Sequence, residues 1–436
     1  MEREFTTFTK SIKAVFNPSR ILKLSRKVKF TQKLRALHPA NLVGALIHAL
    51  SCHDHANLTD ILRVLDERYQ ELLNYKPYHN QIKKPEFTHL LQSLTEQATK
   101  ELLIQPFRSS LPAEYPFKHI HLHDGSSLTL HEKLKDVYQG RFTKTAPAAI
   151  EIHLTLDLVA AIANYVGLDA DKESEKHHRP FADELKDTLV LMDSGYFDIE
   201  YFKEINQFSG FYLMRAGKSI NPEVVDYLDP DTHERISCLK DKSDTTSVVK
   251  LNKLNIGKDK VFDLTVKWCK FNETFRVVQF WDRKTKNKAY LITNLPVEQF
   301  SAQSVLELYS LRWQVELFFK ELKSYCSMKK VNTADPNIVK SLLWESILSL
   351  LIKRFVAFHV GLMFGVMIST HKVARTALHW LPNFMHIILN GTDDENEIKI
   401  IEKIFKFLSK WASRAHPERD SNTALFQLGI KLYSKQ

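Results

Sequence analysis

Three carboxylates and a short stripe of cations are the residues of this 436-residue chain whose types and placing could do chemistry together. Asp124 ends the segment KHIHLHD, Asp193 closes the apolar run LVLM, and Glu316 lies within VLELYSLRWQVELFFKELK, residues 305–323. Such a trio can hold two Mg2+ ions, because hard cations take carboxylate oxygens and keep part of their water. Two ions roughly 3.5–4 Å apart stabilise both the attacking and the leaving oxygen of a phosphodiester displacement. With Tyr309 set at zero and about 100° per helical residue, Arg312 falls at about −60°, Glu316 at about −20° and Lys323 at about −40°. Cations on that stripe would face phosphate oxygens, and Tyr309 could hydrogen-bond one or stack nearby. Two plainer readings stand beside this one. Arg312 and Glu316 are an i, i+4 pair that supports a helix, although Arg ahead of Glu is the less favourable order and leaves Lys323 unexplained. Asp193 is also well placed to cap a following helix.

The elements that must position these groups are legible to different degrees. Residues 305–323 contain neither Gly nor Pro and read as one helix. Leu306, Trp313 and Leu317 flank the stripe on one side, and Leu308, Leu311, Val315, Phe318, Phe319 and Leu322 on the other. Glu307, Ser310, Gln314 and Glu321 are left as its solvent face. A helix this apolar is mostly buried, so its charged stripe must meet partners. Residues 118–124, 126–130 and 149–158 read as consecutive strands, with Gly125 turning between the first two. Asp124 shares a face with Ile120 and Leu122, and His119, His121 and His123 share the other. Those histidines could bind metal, but no further ligand stands beside them in sequence, and separate polar contacts on a sheet are the expectation. Residues 188–216 read as strand, turn at Gly195, helix and strand, which suggests a crossover in a partly parallel sheet. Ligands of such sheets sit beyond strand carboxyl ends, where Asp193 lies.

Residues 219–295 read as an antiparallel β insertion, with strands at 262–271, 274–281 and 289–295. It carries Trp268, Phe280 and Trp281 among cations, a mixture suited to stacking on an unpaired base or simply to the core of a small sheet. The flanks read as helical: 41–51, 58–73 and 86–103 before the strands, and most of the chain after 330. The greasiest run, 341–368, is interrupted by Glu345, Lys353, Arg354 and His359, which fits a buried helix better than a membrane span. Domain boundaries follow: 1–110 helical and basic, 111–218 the first part of a catalytic core, 219–295 the insertion, 296–330 the helix of Glu316, and 331–436 a helical region for DNA contacts or dimerisation.

Composition is ordinary for a soluble globular protein, with 44% hydrophobic and 26% charged residues. The net charge of +10 is unevenly placed. Residues 1–40 hold ten Lys or Arg against two Glu, and residues 240–288 hold thirteen against six acids. Clustered positive charge is what a protein that neutralises phosphates carries, or else a solvated tail and sheet face. Cys52, Cys238, Cys269 and Cys326 show no C-x-x-C spacing, and the N-terminus has no apolar signal core. A reducing cytoplasm fits.

The spacing Y-x2-R-x3-E-x6-K, filled by Tyr309, Arg312, Glu316 and Lys323, resembles the signature of the DDE transposases of bacterial insertion sequences, specifically the IS-four (insertion sequence four) family. LYSLRWQVELFFKELKS, LMDSGYFD around Asp193, LITNLP and, less specifically, HDGSS around Asp124 are similar to that family over 118–324. The resemblance implies an α/β, ribonuclease H-like mixed sheet with a β insertion between the second Asp and the Glu, flanked by helical regions. It implies Asp124, Asp193 and Glu316 as catalytic metal ligands for two Mg2+ ions, with Mn2+ substituting. Tyr309, Arg312, Lys323 and Lys320 would grip DNA, and Trp281 is the candidate for stacking on a flipped base. The implied activity is cut-and-paste transposition by a homodimer on paired double-stranded ends and target DNA, including a hairpin step, in the bacterial cytoplasm at the nucleoid and without a membrane. A nuclease of the same core without strand transfer and a catalytically silent DNA-binding protein are the alternatives.

Overall fold

The computed structural model describes the chain apart from residues 1, 35–36, 53–56, 106–107, 174, 218, 233, 239–248, 255–259, 284, 327–332, 392–393, 415–430 and 434–436. Its centre is one ten-stranded sheet. In chain order the strands are β1 (His119–Thr129), β2 (Ala149–Asp157), β3 (Ile162–Ala170), β4 (Thr188–Met192), β5 (Phe211–Ala216), β6 (Glu223–Leu228), β7 (Arg235–Ser237), β8 (Phe262–Lys267), β9 (Thr274–Asp282) and β10 (Asn287–Thr293). Across the sheet they run β3-β2-β1-β4-β5-β10-β9-β8-β6-β7. β1, β2 and β3 form an antiparallel meander, and β4 and β5 run parallel to β1. That order and those directions are the ribonuclease H-like arrangement. β4 reads TLVLM without alternation because both faces of this part of the sheet are covered, and all five residues are buried.

Parity along the strands divides the core in two. Ile120, Leu122, Leu154, Leu189 and Leu191 point to one face and join the cluster formed with the helices. Val190, Met192, Tyr212 and Met214 point to the other and pack against α7 (Ile199–Gln207) through Tyr201, Phe202 and Ile205. Asp198 caps α7 by accepting from the Glu200 N–H.

Several expectations change here. β1 runs unbroken through Gly125, which makes no turn. A Cβ at Gly125 would come 2.6 Å from Glu151 Oε1, so an added methyl would have to displace that carboxylate. The turn expected at Gly195 is present as the 3-10 segment Ser194–Tyr196, without a positive φ. Strand β3 has no counterpart among the sequence-predicted elements. Residues 219–295 do not form a separate sheet: β10 pairs antiparallel with β5, Tyr290 opposite Ala216 through Thr293 opposite Leu213, so the insertion widens the core sheet.

The helices before and after the sheet form one bundle. The early ones are α1 (Glu2–Phe16), α2 (Pro18–Lys27), α3 (Pro39–Cys52), α4 (Leu58–Tyr69), α5 (Tyr75–Ile82) and α6 (Pro85–Glu101). The basic first 40 residues are thus largely helical. Phe5, Phe8, Ile12, Val15 and Phe16 keep helical spacing and are buried, while the cations occupy the intervening positions. The later helices are α8 (Ala302–Ser310), α9 (Trp313–Tyr325), α10 (Pro336–Phe364), α11 (Thr370–Arg375), α12 (Leu381–Asn390) and α13 (Asp394–Trp411). Phe8 of α1 stacks on Phe355 of α10 at 5.1 Å, and Thr88 of α6 meets Ser341 of α10 at 2.8 Å. Helix α10 is long and apolar enough to cross a membrane, but 83% of that stretch is buried within the chain. The C-terminal region is not wholly helical: Lys431–Tyr433 pairs antiparallel with Arg108–Ser110. The polar segment 413–422 lies mostly outside the described residues.

Glu345 in α10 is fully buried, and neither carboxylate oxygen is hydrogen-bonded among the described residues. Burial holds its pKa well above the ordinary carboxylate value, with Lys353 partly opposing. The folded chain therefore keeps a proton that the unfolded chain releases once pH exceeds its own, lower pKa. Stability from this group is fully present below the unfolded value and is lost as pH rises toward the folded one. Glu345→Gln is expected to match the parent near about pH 4 and to exceed it by at least about 1 kcal/mol near pH 8. Thermal unfolding across that range checks it, and a constant difference between the two proteins would rule the account out.

Candidate active site

Asp124 and Asp193 are brought together by strand register. β1 and β4 pair in parallel from His119 opposite Thr188 to Leu122 opposite Leu191, and the same offset carries on to Asp124 beside Asp193. Neighbouring strands lie about 4.8 Å apart, and both aspartates share parity with the leucines two residues before them. They therefore emerge on one face, Asp193 just past the carboxyl end of β4 and Asp124 in the middle of β1, not at the strand end expected for it. Extending the β4–β5 register by one residue places Arg215 next to Asp193 in the same row. Sequence reasoning missed Arg215, although FYLM-R follows an apolar run as LVLM-D does.

Glu316 arrives from the helical layer above that face. The predicted single helix over 305–323 is two, α8 and α9, joined through Leu311 and Arg312. The N–H groups of Leu311, Arg312, Gln314 and Val315 each bond the carbonyl three residues back, so the chain tightens locally toward a 3-10 turn. The polar stripe survives the tightening. Arg312 donates to Asp124 Oδ2 at 2.8 Å and also to Glu316 Oε1, linking sheet and helix with one guanidinium. Tyr309 is half-buried beside it, with its hydroxyl inside and its ring 5.7 Å from the guanidinium carbon. Lys323 donates to the Ser127 carbonyl of β1 at 2.8 Å, so its ammonium also lies over the sheet. Asp193 Oδ1 accepts from the Ser194 N–H at 2.8 Å, so it caps the 3-10 turn Ser194–Tyr196 with one oxygen, while the following helix is capped by Asp198.

The solvent face assigned to this region needs correction. Gln314 and Glu321 are buried, and Trp313, placed on the apolar flank, is 49% exposed. Glu321 turns inward because Arg354 of α10 donates to it at 2.8 Å and Thr370 of α11 also bonds it. The two side chains of the ion pair are each 3% exposed. Lys353 donates to the Tyr325 carbonyl and Ser346 to that of Cys326, which satisfies the last turn of α9. These contacts fix the helix that carries Glu316. Lys320 is exposed, and its charge acts on His371 of α11. Trp281 is at the carboxyl end of β9, the same end of the sheet but four strand positions from β1, roughly 19 Å away.

The electrostatics follow from crowding of acids in a half-closed site. Burial pushes the Asp124 carboxyl up to about 6, with Asp193 and Glu316 adding to the shift while Arg312 and the Gly125 N–H oppose it. Burial works against the Arg312 charge, but Tyr309 and the three acids outweigh it and hold the guanidinium protonated more firmly than usual. Burial also raises the Tyr309 and Tyr196 hydroxyls, and nearby carboxylates add to it. Beside the trio lies a second acidic group that sequence reasoning did not assemble. Arg141 bonds Glu151 at 3.1 Å, Glu175 at 2.8 Å and, through its N–H, Asp171 at 2.8 Å. Burial and Glu175 push Glu151 up to about 7 against the pull of Arg141.

Each of the three acids offers the hard oxygens that divalent cations take; Asp124 and Glu316 share the Arg312 guanidinium, and Asp193 lies next to Asp124 in register. The Arg312 guanidinium spans Asp124 and Glu316, a cation set between acids as a metal would be.

Residues 115–352 match the Transposase DDE domain family. The chain is 23% identical to the transposase for insertion sequence element IS1151 of Clostridium perfringens, covering 82% of each chain. It is 20% identical to the transposase for insertion sequence element IS231F of Bacillus thuringiensis subsp. israelensis, covering 95% of this chain and 94% of that one. Among solved structures, a piggyBac transposase synaptic complex with hairpin DNA aligns with 88% of this chain and 85% of its own at a TM-score of 0.45 and 11% identity. The acids carried by a ribonuclease H-like sheet and the match over more than half its length give one conclusion: this chain belongs to the Transposase DDE domain family and is a DDE transposase of the insertion-sequence type.

Proposed function

We propose that this transposase excises its element and inserts it elsewhere by using Asp124, Asp193 and Glu316 as ligands for two Mg2+ ions, with Mn2+ as a working substitute. The observation that carries this reading is the Arg312 bridge between Asp124 and Glu316, with Asp193 next in register. When bound, the ions supply Lewis acidity at the scissile phosphate and make water a competent nucleophile. The chain's own residues do the rest. Arg312 exchanges carboxylate for phosphate oxygens, since its planar fork suits both. Lys323, tied to the Ser127 carbonyl, and Arg215, beside Asp193 and bonded to Asp282 at 2.6 Å, flank the strand being cut. Tyr309 orients Arg312, and Lys320 contacts the flanking duplex.

The reaction order we assign is hydrolysis to free a 3′-hydroxyl, hairpin formation on the element end, reopening, and strand transfer into target DNA by a homodimer at the bacterial nucleoid. Trp313 replaces Trp281 as the favoured platform for an unpaired base, because it is exposed and adjacent to Arg312. Base–aromatic stacking contributes about 1–3 kcal/mol, so Trp313→Ala is expected to slow hairpin formation about tenfold or more while first-strand nicking persists. Denaturing gels of labelled ends separate the two products. Equal hairpin yield from the variant would return the role to Trp281 or another ring.

The whole reading is tested by incubating the protein with Mg2+ and a supercoiled plasmid carrying its own element ends. Excision with insertion is expected. Cleavage without insertion would leave a nuclease, and binding without cleavage would leave a silent DNA-binding protein.

A further inference from the structure

We propose that His119, His121 and Asp157 form a second cation site, for a first-row transition metal such as Zn2+, on the face of the sheet away from the acid trio. The sequence supplies two histidines at i, i+2 but no neighbouring acid. Strand pairing supplies it, because Asp157 at the end of β2 lies directly opposite His121 of β1. The three ligand atoms all fall within 4.8 Å of one another. Asp157 Oδ2 is 2.8 Å from His119 Nδ1 and 3.6 Å from His121 Nε2. Its other oxygen accepts from the N–H groups of Val159 and Ala160 at 2.8 and 3.0 Å, which orients the carboxylate before any ion arrives. The turn thus needs only Oδ1, and two imidazoles converge on the remaining oxygen. Asn164 of β3 lies 2.9 Å from His121 Nε2, where rotating its amide plane would offer an oxygen as a further donor.

Access and chemistry agree with this assignment. Asp157 is 4% exposed, His121 12% and His119 46%, so the site is anchored in the sheet and open on one side. It borders a cavity of about 450 Å³ lined by His121, Asn164, Tyr165 and His178. Two imidazoles and one carboxylate, with water in an open position, suit Zn2+, whereas Mg2+ prefers oxygen ligands throughout. The site is also remote from the trio. His119 and Asp124 are five residues apart on β1, roughly 17 Å, and have opposite parity. An ion there would clamp β1 to β2 and to the turn into β3, stiffening the strand that carries Asp124. This inference does not depend on the roles proposed for the acids.

The test is calorimetric titration of untagged full-length protein with Zn2+ in excess Mg2+, repeated with Co2+ and read by visible absorption. One equivalent of Zn2+ is expected, with Co2+ bands of the intensity given by low coordination. His119→Ala and Asp157→Asn are expected to weaken binding by more than the roughly 10–100-fold that losing an outer partner costs. His178→Ala and Asp124→Asn should leave it unchanged. Asp157→Asn keeps an acceptor for the turn, and His119 is half-exposed, so circular dichroism should show both variants folded. If Asp157→Asn fails to fold, His119→Ala decides alone. Absence of a stoichiometric Zn2+ site, equal binding by His119→Ala, or loss of binding in Asp124→Asn or His178→Ala would overturn the assignment.

Discussion

Glu316→Gln is expected to bind element ends as the parent does and to cut them at least about a hundredfold more slowly. Removing a single preorganised group that stabilises transition-state charge costs about 10²–10³, and loss of a ligand that places such charge costs no less. Folding should barely change. Glu316 is 33% exposed and its bond is to Arg312, a partly exposed i, i+4 pair of a kind contributing about 0–1 kcal/mol. Arg312 keeps its second partner, Asp124. Mobility-shift assays on end-bearing DNA and cleavage gels in Mg2+ read the two properties separately. Unchanged cleavage would remove Glu316 from the mechanism, and loss of end binding would show that its role is in recognition.

Arg354→Ala carries the largest expected cost to stability, about 3–5 kcal/mol, because it leaves the Glu321 carboxylate buried without its cation. The Arg354 guanidinium also lies over the Phe318 ring at 4.9 Å, so packing is lost with the charge. The consequence reaches the active site. Glu316 and Glu321 lie on one 13-residue helix, so the anchor at Glu321 also holds Glu316 over the sheet. Reduced cleavage is therefore expected alongside the lower melting temperature. Replacing both partners, Glu321→Leu with Arg354→Met, should recover most of the stability, since a buried pair exchanged for apolar groups of similar volume is often neutral or better. Chemical denaturation of the single and double variants checks this. A double variant as unstable as Arg354→Ala would show that the pair itself, and not the stranded charge, holds α9.

Much of the site was legible because its signals are local. The spacing of Tyr309, Arg312, Glu316 and Lys323 needs only one helical stretch to be read, and the apolar run before Asp193 marks a strand end. The same kind of signal was present but unread in α1, where Phe5, Phe8, Ile12, Val15 and Phe16 form a helical stripe among cations. Gln314 and Glu321 were misplaced for a different reason. A helix pattern ranks faces by polarity, and Glu321 is polar yet faces inward because Arg354, 33 residues later, pairs with it there.

The amino-acid sequence by itself determined the family signature, the order of most strands and helices around it, and the strand end at Asp193, since each depends on periods of two or 3.6 residues within a short window. Tertiary structure decided which residues became neighbours. Register set Asp124 beside Asp193 and Arg215, and strand pairing set Asp157 against two histidines and kept Gly125 inside β1 instead of at a turn. Those choices rest on contacts between segments far apart in the chain, where burial and hydrogen bonding across the sheet, not local preference, set the minimum.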